Sequence, residues 1–495
     1  MSRKTASLLL FLVTLNGSAS TPTWVQVQSP HFTLITDAND KQGIHVLDQF
    51  ERMRWIFQTL FPNANVDPAA PILVIAARNK KDFAALEPEA YLAKGQMSLA
   101  GLFLNTEDKN YILLRLDAEG EQHPFSTIYH EYTHLQLTKA SEWLPLWLNE
   151  GLAEFFENTD IHDKDVRLGE PNFVDLLYLR QNRILPLPIL FRVDVTSPYY
   201  HEEQKGSIFY AESWALTHLL EVSDHQDHTH RLVDYVERMS HHEDPVTAAQ
   251  EAFGDLNQLQ KALESYIAQG AFKFFGMSTA AAPIDDASFK IKTLTPIEAD
   301  AIRADFLVNI QRTKDARALL ASVLQQDPNN VSAHETMGYL EFAAGNREAA
   351  LKWYEQAVKL DSQSYLAHYY YAAISIAAGH GDPARIEASL HTAINLNPTF
   401  APAYDQLASL YGMRREKLSQ AHMLNLQAIS LDPGNIRYRL NAANILLEEV
   451  KPDDALRGLK QALSLAKTPE EAAQVQHRIN EIEQDQAPHP PTSKE

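Results

Sequence analysis

The sequence of 495 residues contains no cysteine. No disulfide can staple it, and no lipid-bearing cysteine follows its N-terminal segment. It has no block rich in lysine or arginine, and its formal net charge is −21. Such an acidic surface repels phosphate backbones, so nucleic acid is not an expected partner. Beyond the N-terminal segment no apolar run approaches the ~20 residues that a membrane helix needs, so no transmembrane segment is expected in the mature chain.

What is present is an ordinary globular balance, 45% apolar and 22% charged. The length suggests roughly two to four domains. Residues 1–20 read as a separate object. "MSRK" is a basic start, "ASLLLFLVTL" is an apolar run too short to span a bilayer, and "NGSAS" places small residues at Ser18 and Ser20. That order of zones predicts a signal peptide cleaved after Ser20. Export without disulfides points to a bacterial periplasm, with the mature protein soluble or peripheral.

Residues 24–120 predict mixed strand and helix. "HFTLITDA" and "PILVIAA" are short, β-branched and bounded by turn residues. Between them Val46, Phe50, Met53, Ile56 and Leu60 recur at helical spacing. "MSLAGLFLN" and "YILLRLD" flank a polar "TEDKN" and predict a hairpin. From Phe125 to Met277 the pattern is mostly helical. "STAAAPIDDAS" begins a segment of small residues, Pro and Asp, and 278–296 is expected to be a linker.

After it the chain repeats. Asp327, Asp361, Asn397 and Asp432 stand at steps of 34, 36 and 35, and Ala357, Ala393, Ala428 and Ala462 keep the same beat. Each unit reads as two amphipathic helices and a turn, and such pairs must stack to bury their apolar faces. This resembles the tetratricopeptide repeat (TPR), with Gly338, Gly345, Ala350, Tyr354 and Ala357 at its small and aromatic positions. The second unit departs, with Ile386 in place of an alanine and an inserted "HGDP". Repeats are expected over 297–485, with 469–484 as a capping helix, and 486–495 as a disordered tail.

The chemistry starts at "STIYHEYTHLQL", Ser126–Leu137. On a helix, His130 and His134 project from one face one turn apart, and two imidazoles so placed can bind one tetrahedral ion. Glu131 stands beside them, where a carboxylate can take a proton from water and pass it to a leaving amine. "LPLWLNEGLAEFFE" then carries Glu150 and Glu154 on one face of a second helix. A catalytic zinc keeps three protein ligands, and Glu150 is a suitable third.

"HEYTH" followed by "WLNEG" resembles the gluzincin metallopeptidases, and more closely the peptidase MA-like bacterial domains that often carry TPR repeats. The resemblance implies an α+β zincin-like catalytic domain over 21–277, a small N-terminal sheet plus helices, followed by an all-α TPR solenoid. It implies one Zn²⁺ held by His130, His134 and Glu150. Glu131 is then the general base, and Glu154 orients a ligand histidine. The connection Leu135–Asn149 is shorter than in zinc aminopeptidases, and no "GAMEN"-like segment precedes it, so that subgroup guides mechanism and not specificity. By the same analogy Tyr210, sixty residues past Glu150, stabilises the oxyanion, with Tyr199, Tyr200 and His218 as rivals. His225, His228, His230, His241 and His242 read as polar loop residues.

The expected function is an exported zinc-dependent peptidase whose repeats recruit a peptide or protein on their concave face. The alternative is a catalytically silent scaffold, or a periplasmic assembly factor, that acts through the repeats alone.

Overall fold

The structure is a computed structural model that describes residues 23–62, 71–92, 101–106, 109–117, 125–137, 144–162, 164–200, 208–279, 282 and 284–486. The expected signal segment lies outside the described residues, as does the expected tail apart from Gln486. The chain divides into two compact units, Met1–Ala299 and Asp300–Glu495. It is mostly helical, with a small mixed sheet near the N-terminus.

In the first unit the strands are β1 (Val25–Gln28), β2 (Phe32–Thr36), β3 (Ile72–Ala77), β4 (Gly101–Asn105), β5 (Asn110–Arg115), β6 (Asp160–Ile161), β7 (Asp165–Leu168), β8 (Phe275–Ser278) and β9 (Lys290–Thr293). Its helices are α1 (Asp40–Leu60), α2 (Lys80–Ala84), α3 (Ser126–Leu137), α4 (Leu146–Glu157), α5 (Phe173–Gln181), α6 (Leu187–Leu190), α7 (Ile208–Asp227), α8 (Arg231–Ser240), α9 (Pro245–Phe253) and α10 (Leu256–Ile267).

The main sheet has the order β4-β5-β3-β2-β1-β9. Its centre is parallel: Phe32 pairs with Ile72 across β2 and β3, and Ile72 with Asn110 across β3 and β5. Central parallel strands are covered on both faces, which is why β3 is an unbroken apolar run, ILVIAA. The expected hairpin is the antiparallel pair β4–β5, with Gly101 opposite Leu114. α1 starts where the Asn39 side chain accepts the Gln42 N–H, and it buries Val46, Phe50, Met53, Ile56 and Phe57. β6, β7 and β8 form a second, three-stranded sheet.

The segment 278–296 is not a linker throughout. Lys290–Thr293 pair antiparallel with β1, Val25 opposite Thr293, as an edge strand of the main sheet. All four residues of β9 are exposed, Ile291 among them, so the strand adds backbone pairing at the edge of the sheet and no side chain to its core. Buried Phe289 and Leu294 pin it at either end.

Two cores meet at α4. Its first turn gives Trp147 and Leu148 to a helical core with Leu187, Phe209, Trp214 and Tyr235. Its last turns give Phe155 and Phe156 to a second core with the sheet, α1, and Tyr129 and Tyr132 of α3. The helix is thereby fixed in rotation from both ends.

The second unit continues from α11 (Pro296–Asn309), whose first residues precede the division. Then come α12 (Thr313–Gln326), α13 (Val331–Ala343), α14 (Arg347–Lys359), α15 (Tyr365–Ala378), α16 (Pro383–Leu396), α17 (Ala401–Arg414), α18 (Leu418–Leu431), α19 (Ile436–Glu448), α20 (Pro452–Leu463) and α21 (Pro469–Gln486). These are TPR-like helical repeats, each helix from α12 onward packed on the next. Gly338 lets α13 approach α14, since a Cβ there would stand 2.7 Å from the Tyr354 ring. Ala350, Ala357, Ala393, Ala428 and Ala462 are fully buried, which explains their regular spacing. Just before the inserted "HGDP", Gly379 ends α15 in the left-handed conformation, and within it Asp382 caps α16.

Candidate metal centre

α3 buries Tyr129 and Tyr132 against the sheet and α1, and the Tyr129 hydroxyl donates to Gln49 Oε1 at 3.3 Å. This face fixes where the next residues point. His130 is buried and His134 half-buried, with ring centroids 4.8 Å apart.

α4 begins after Pro145 and packs against α3. It also crosses α7 at Gly151, where a Cβ would lie 2.2 Å from Thr217 Oγ1 and 2.6 Å from the Ser213 carbonyl oxygen. Only glycine allows this approach, and the neighbouring Glu150 is thereby pressed toward α3.

The three atoms that face one another are His130 Nε2, His134 Nε2 and Glu150 Oε2. The nitrogens are 3.1 Å apart. Glu150 Oε2 lies 3.5 Å from His130 Nε2 and 3.3 Å from His134 Nε2. That oxygen is buried and makes no hydrogen bond among the described residues. Ligand atoms held about 2.0–2.1 Å from a tetrahedral zinc stand about 3.3–3.4 Å apart. The triangle therefore fits the ion, and the donor set, two imidazoles and one carboxylate, suits zinc.

The other imidazole nitrogens are held from behind. His134 Nδ1 lies 2.7 Å from Asn149 Oδ1. His130 Nδ1 lies 3.3 Å from Glu157 Oε2 and 3.6 Å from Glu154 Oε1. Acceptors at both Nδ1 atoms place the protons there and turn the Nε2 lone pairs toward Glu150.

The acids around His130 differ in charge. Burial alone would raise the Glu150 carboxyl, but the two imidazoles facing it bring it down to about 2. Glu154 is raised well above the usual range by burial, then by Glu157 and Asp175. Asp175, on α5, is raised to about 7 by burial and by Glu157. Glu150 is thus the acid held ionised between the two imidazoles, as a carboxylate ligand of a divalent cation must be.

His130, His134 and Glu150 come together, and Glu154 stands behind His130. Glu131, next on α3, is half-buried. Tyr210 is 1% exposed, inside the core that holds Trp147 and Leu148, and its ring stacks on Tyr200 with centroids 6.0 Å apart. Tyr199 is exposed. His218 is structural, with Nδ1 2.6 Å from the Tyr266 hydroxyl and Nε2 2.7 Å from the Gly169 carbonyl oxygen. Burial lowers its pKa, so it stays neutral with both nitrogens engaged. Among the described residues, His225, His228, His230, His241 and His242 join no group of three ligands.

Asn149, Glu157 and Asp175 are site residues that the sequence reading did not assign. Glu157 was within reach: seven residues past Glu150, it returns to the same stripe of α4 as Glu150 and Glu154. Asp175 lies on a separate helix, and no spacing ties it to the motif.

A family model described as a protein of unknown function (DUF1570) matches residues 124–246. That stretch contains α3, α4 and every residue of the centre. No curated protein matches the chain. Solved structures that resemble it include TPR proteins. YrrB, described as a TPR protein with an unusual peptide-binding site, is 17% identical and covers 36% of this chain and 90% of its own, with a TM-score of 0.33. MamA is 24% identical and covers 34% and 91%, with a TM-score of 0.30. A thermophilic TPR protein of Thermus thermophilus is 18% identical and covers 38% and 99%, with a TM-score of 0.28. Among the described residues no helix is long and apolar enough to cross a membrane.

Proposed function

We propose that the N-terminal unit is a zinc-dependent hydrolase of peptide bonds, exported to a periplasm, and that the repeats bring it a peptide or protein substrate. The observation that carries this reading is the triangle of His130 Nε2, His134 Nε2 and Glu150 Oε2, with sides of 3.1, 3.3 and 3.5 Å. His130, His134 and Glu150 would hold the metal. When bound, zinc supplies a Lewis acid and makes water a nucleophile near neutral pH.

The chain's own residues do the rest. Glu131 follows His130 on the same helix and is half-buried. It accepts a proton from the attacking water and delivers it to the departing amine. Asn149 and the acids behind His130 keep the ligand nitrogens aimed. The Tyr210 hydroxyl is the assigned oxyanion donor, although its burial in the helical core requires the substrate to approach that core. The TPR-like repeats favour protein binding, as such stacked helix pairs present extended concave surfaces.

The test compares wild type with Glu131→Gln for zinc content and for cleavage of a mixed peptide library. Full zinc with cleavage lost by about 10²–10⁴-fold supports the reading. A folded wild-type protein that takes up no zinc overturns it.

A further inference from the structure

Among the described residues, Glu154 and Glu157 reach the back of His130, and the contact with Glu157 has the geometry of a hydrogen bond. Glu157 Oε2 lies 3.3 Å from Nδ1 as a hydrogen-bond partner. Glu154 Oε1 stands at 3.6 Å, an ion-pair separation only. The family resemblance points to the acid one turn past the third ligand, which is Glu154. We propose that Glu157 instead is the positioning residue for His130, accepting its Nδ1–H and so fixing the Nε2 lone pair toward Glu150. The inference rests on the zinc reading above.

The helix explains the exchange. Counted from Glu150, Glu154 is rotated about 40° one way around α4 and Glu157 about 20° the other way. Glu157 is thus nearer in angle to Glu150 than Glu154 is. It also closes the helix, immediately before the cap residue Asn158. Phe155 and Phe156 are buried in the sheet core and lock the rotation of this last turn. A carboxylate on a locked turn can hold an imidazole in one orientation. Without it the ring can turn, and the ligand set loses its aim.

The experiment measures zinc affinity of the full chain by competition with a chromophoric chelator. The variants are Glu157→Leu, Glu157→Gln, Glu154→Leu and Glu154→Gln, with circular dichroism as the check on folding. Glu157→Leu is expected to weaken zinc by about 10–100-fold. Glu157→Gln, which keeps an acceptor oxygen, should lose only a few-fold, and Glu154→Gln should stay within about twofold of wild type. If Glu157→Leu fails to fold, the two glutamine variants decide by their order. A larger loss at position 154 than at 157, or no loss at 157, overturns the assignment while leaving zinc binding intact. Absence of zinc from the wild type is a different result, and it removes the zinc reading itself.

Discussion

Asn149 Oδ1 and His134 Nδ1 stand 2.7 Å apart, joining the residue before the third candidate ligand to the second candidate ligand on another helix. One contact thus aligns α3 with α4 and selects the His134 tautomer. Replacing Asn149 by leucine removes the acceptor, and zinc affinity is expected to fall about 10–100-fold. Asn149→Asp retains an acceptor oxygen and should restore most of it. Equilibrium metal competition on both variants reads the difference.

Gly151 sets the depth of α4 against α7. An alanine there would meet Thr217 Oγ1 at 2.2 Å and the Ser213 carbonyl oxygen at 2.6 Å. Gly151→Ala is expected to cost about 1–3 kcal/mol of stability and to displace Glu150 from the two imidazoles. Adding Thr217→Ala should not rescue it, because the Ser213 contact is with backbone. Thermal unfolding and zinc content of the single and double variants measure both effects.

Much of this was legible in the sequence, and the reasons are local. His130, His134, Glu150 and Glu154 lie on two helices whose period of 3.6 projects them from one face, so spacing alone aligns them. The repeats announced themselves through alanines that the structure buries completely. Asp175 and β9 were not legible, because each acquires its role from a contact far away in sequence. Asp175 meets the site through Glu157, and the exposed Lys290–Thr293 becomes a strand only because β1 offers an edge.

Glu212 gives a pH dependence away from the candidate metal ligands. Burial raises its carboxyl to about 8, against a single backbone N–H from Leu185 at 2.6 Å. Its Oε1 has no hydrogen-bond partner among the described residues. The folded protein therefore keeps a proton that the unfolded chain loses near pH 4.5. Stability falls as pH rises from there to about 8, by about 1 kcal/mol per pH unit, and then levels off. Glu212→Gln keeps the acceptor for Leu185 and carries no charge. It should be more stable than wild type at pH 8 and about equal at pH 4. Urea midpoints across that range test the sign.

β9 determines where the first unit ends. A chain cut at Ala282, within the expected linker, would lose the strand that covers β1 and both of its buried anchors, Phe289 and Leu294. Leu294 also donates its backbone N–H to the Trp24 carbonyl oxygen at 2.9 Å. The anchor can be tested without cutting the chain. Phe289→Ala in the full protein is expected to destabilise the first unit by about 3–5 kcal/mol, the usual cost of emptying a buried phenylalanine site. Amide exchange at Val25–Gln28 should speed up, while exchange in the repeats stays unchanged. Equal loss of protection in both units would mean that Phe289 supports more than the edge of this sheet.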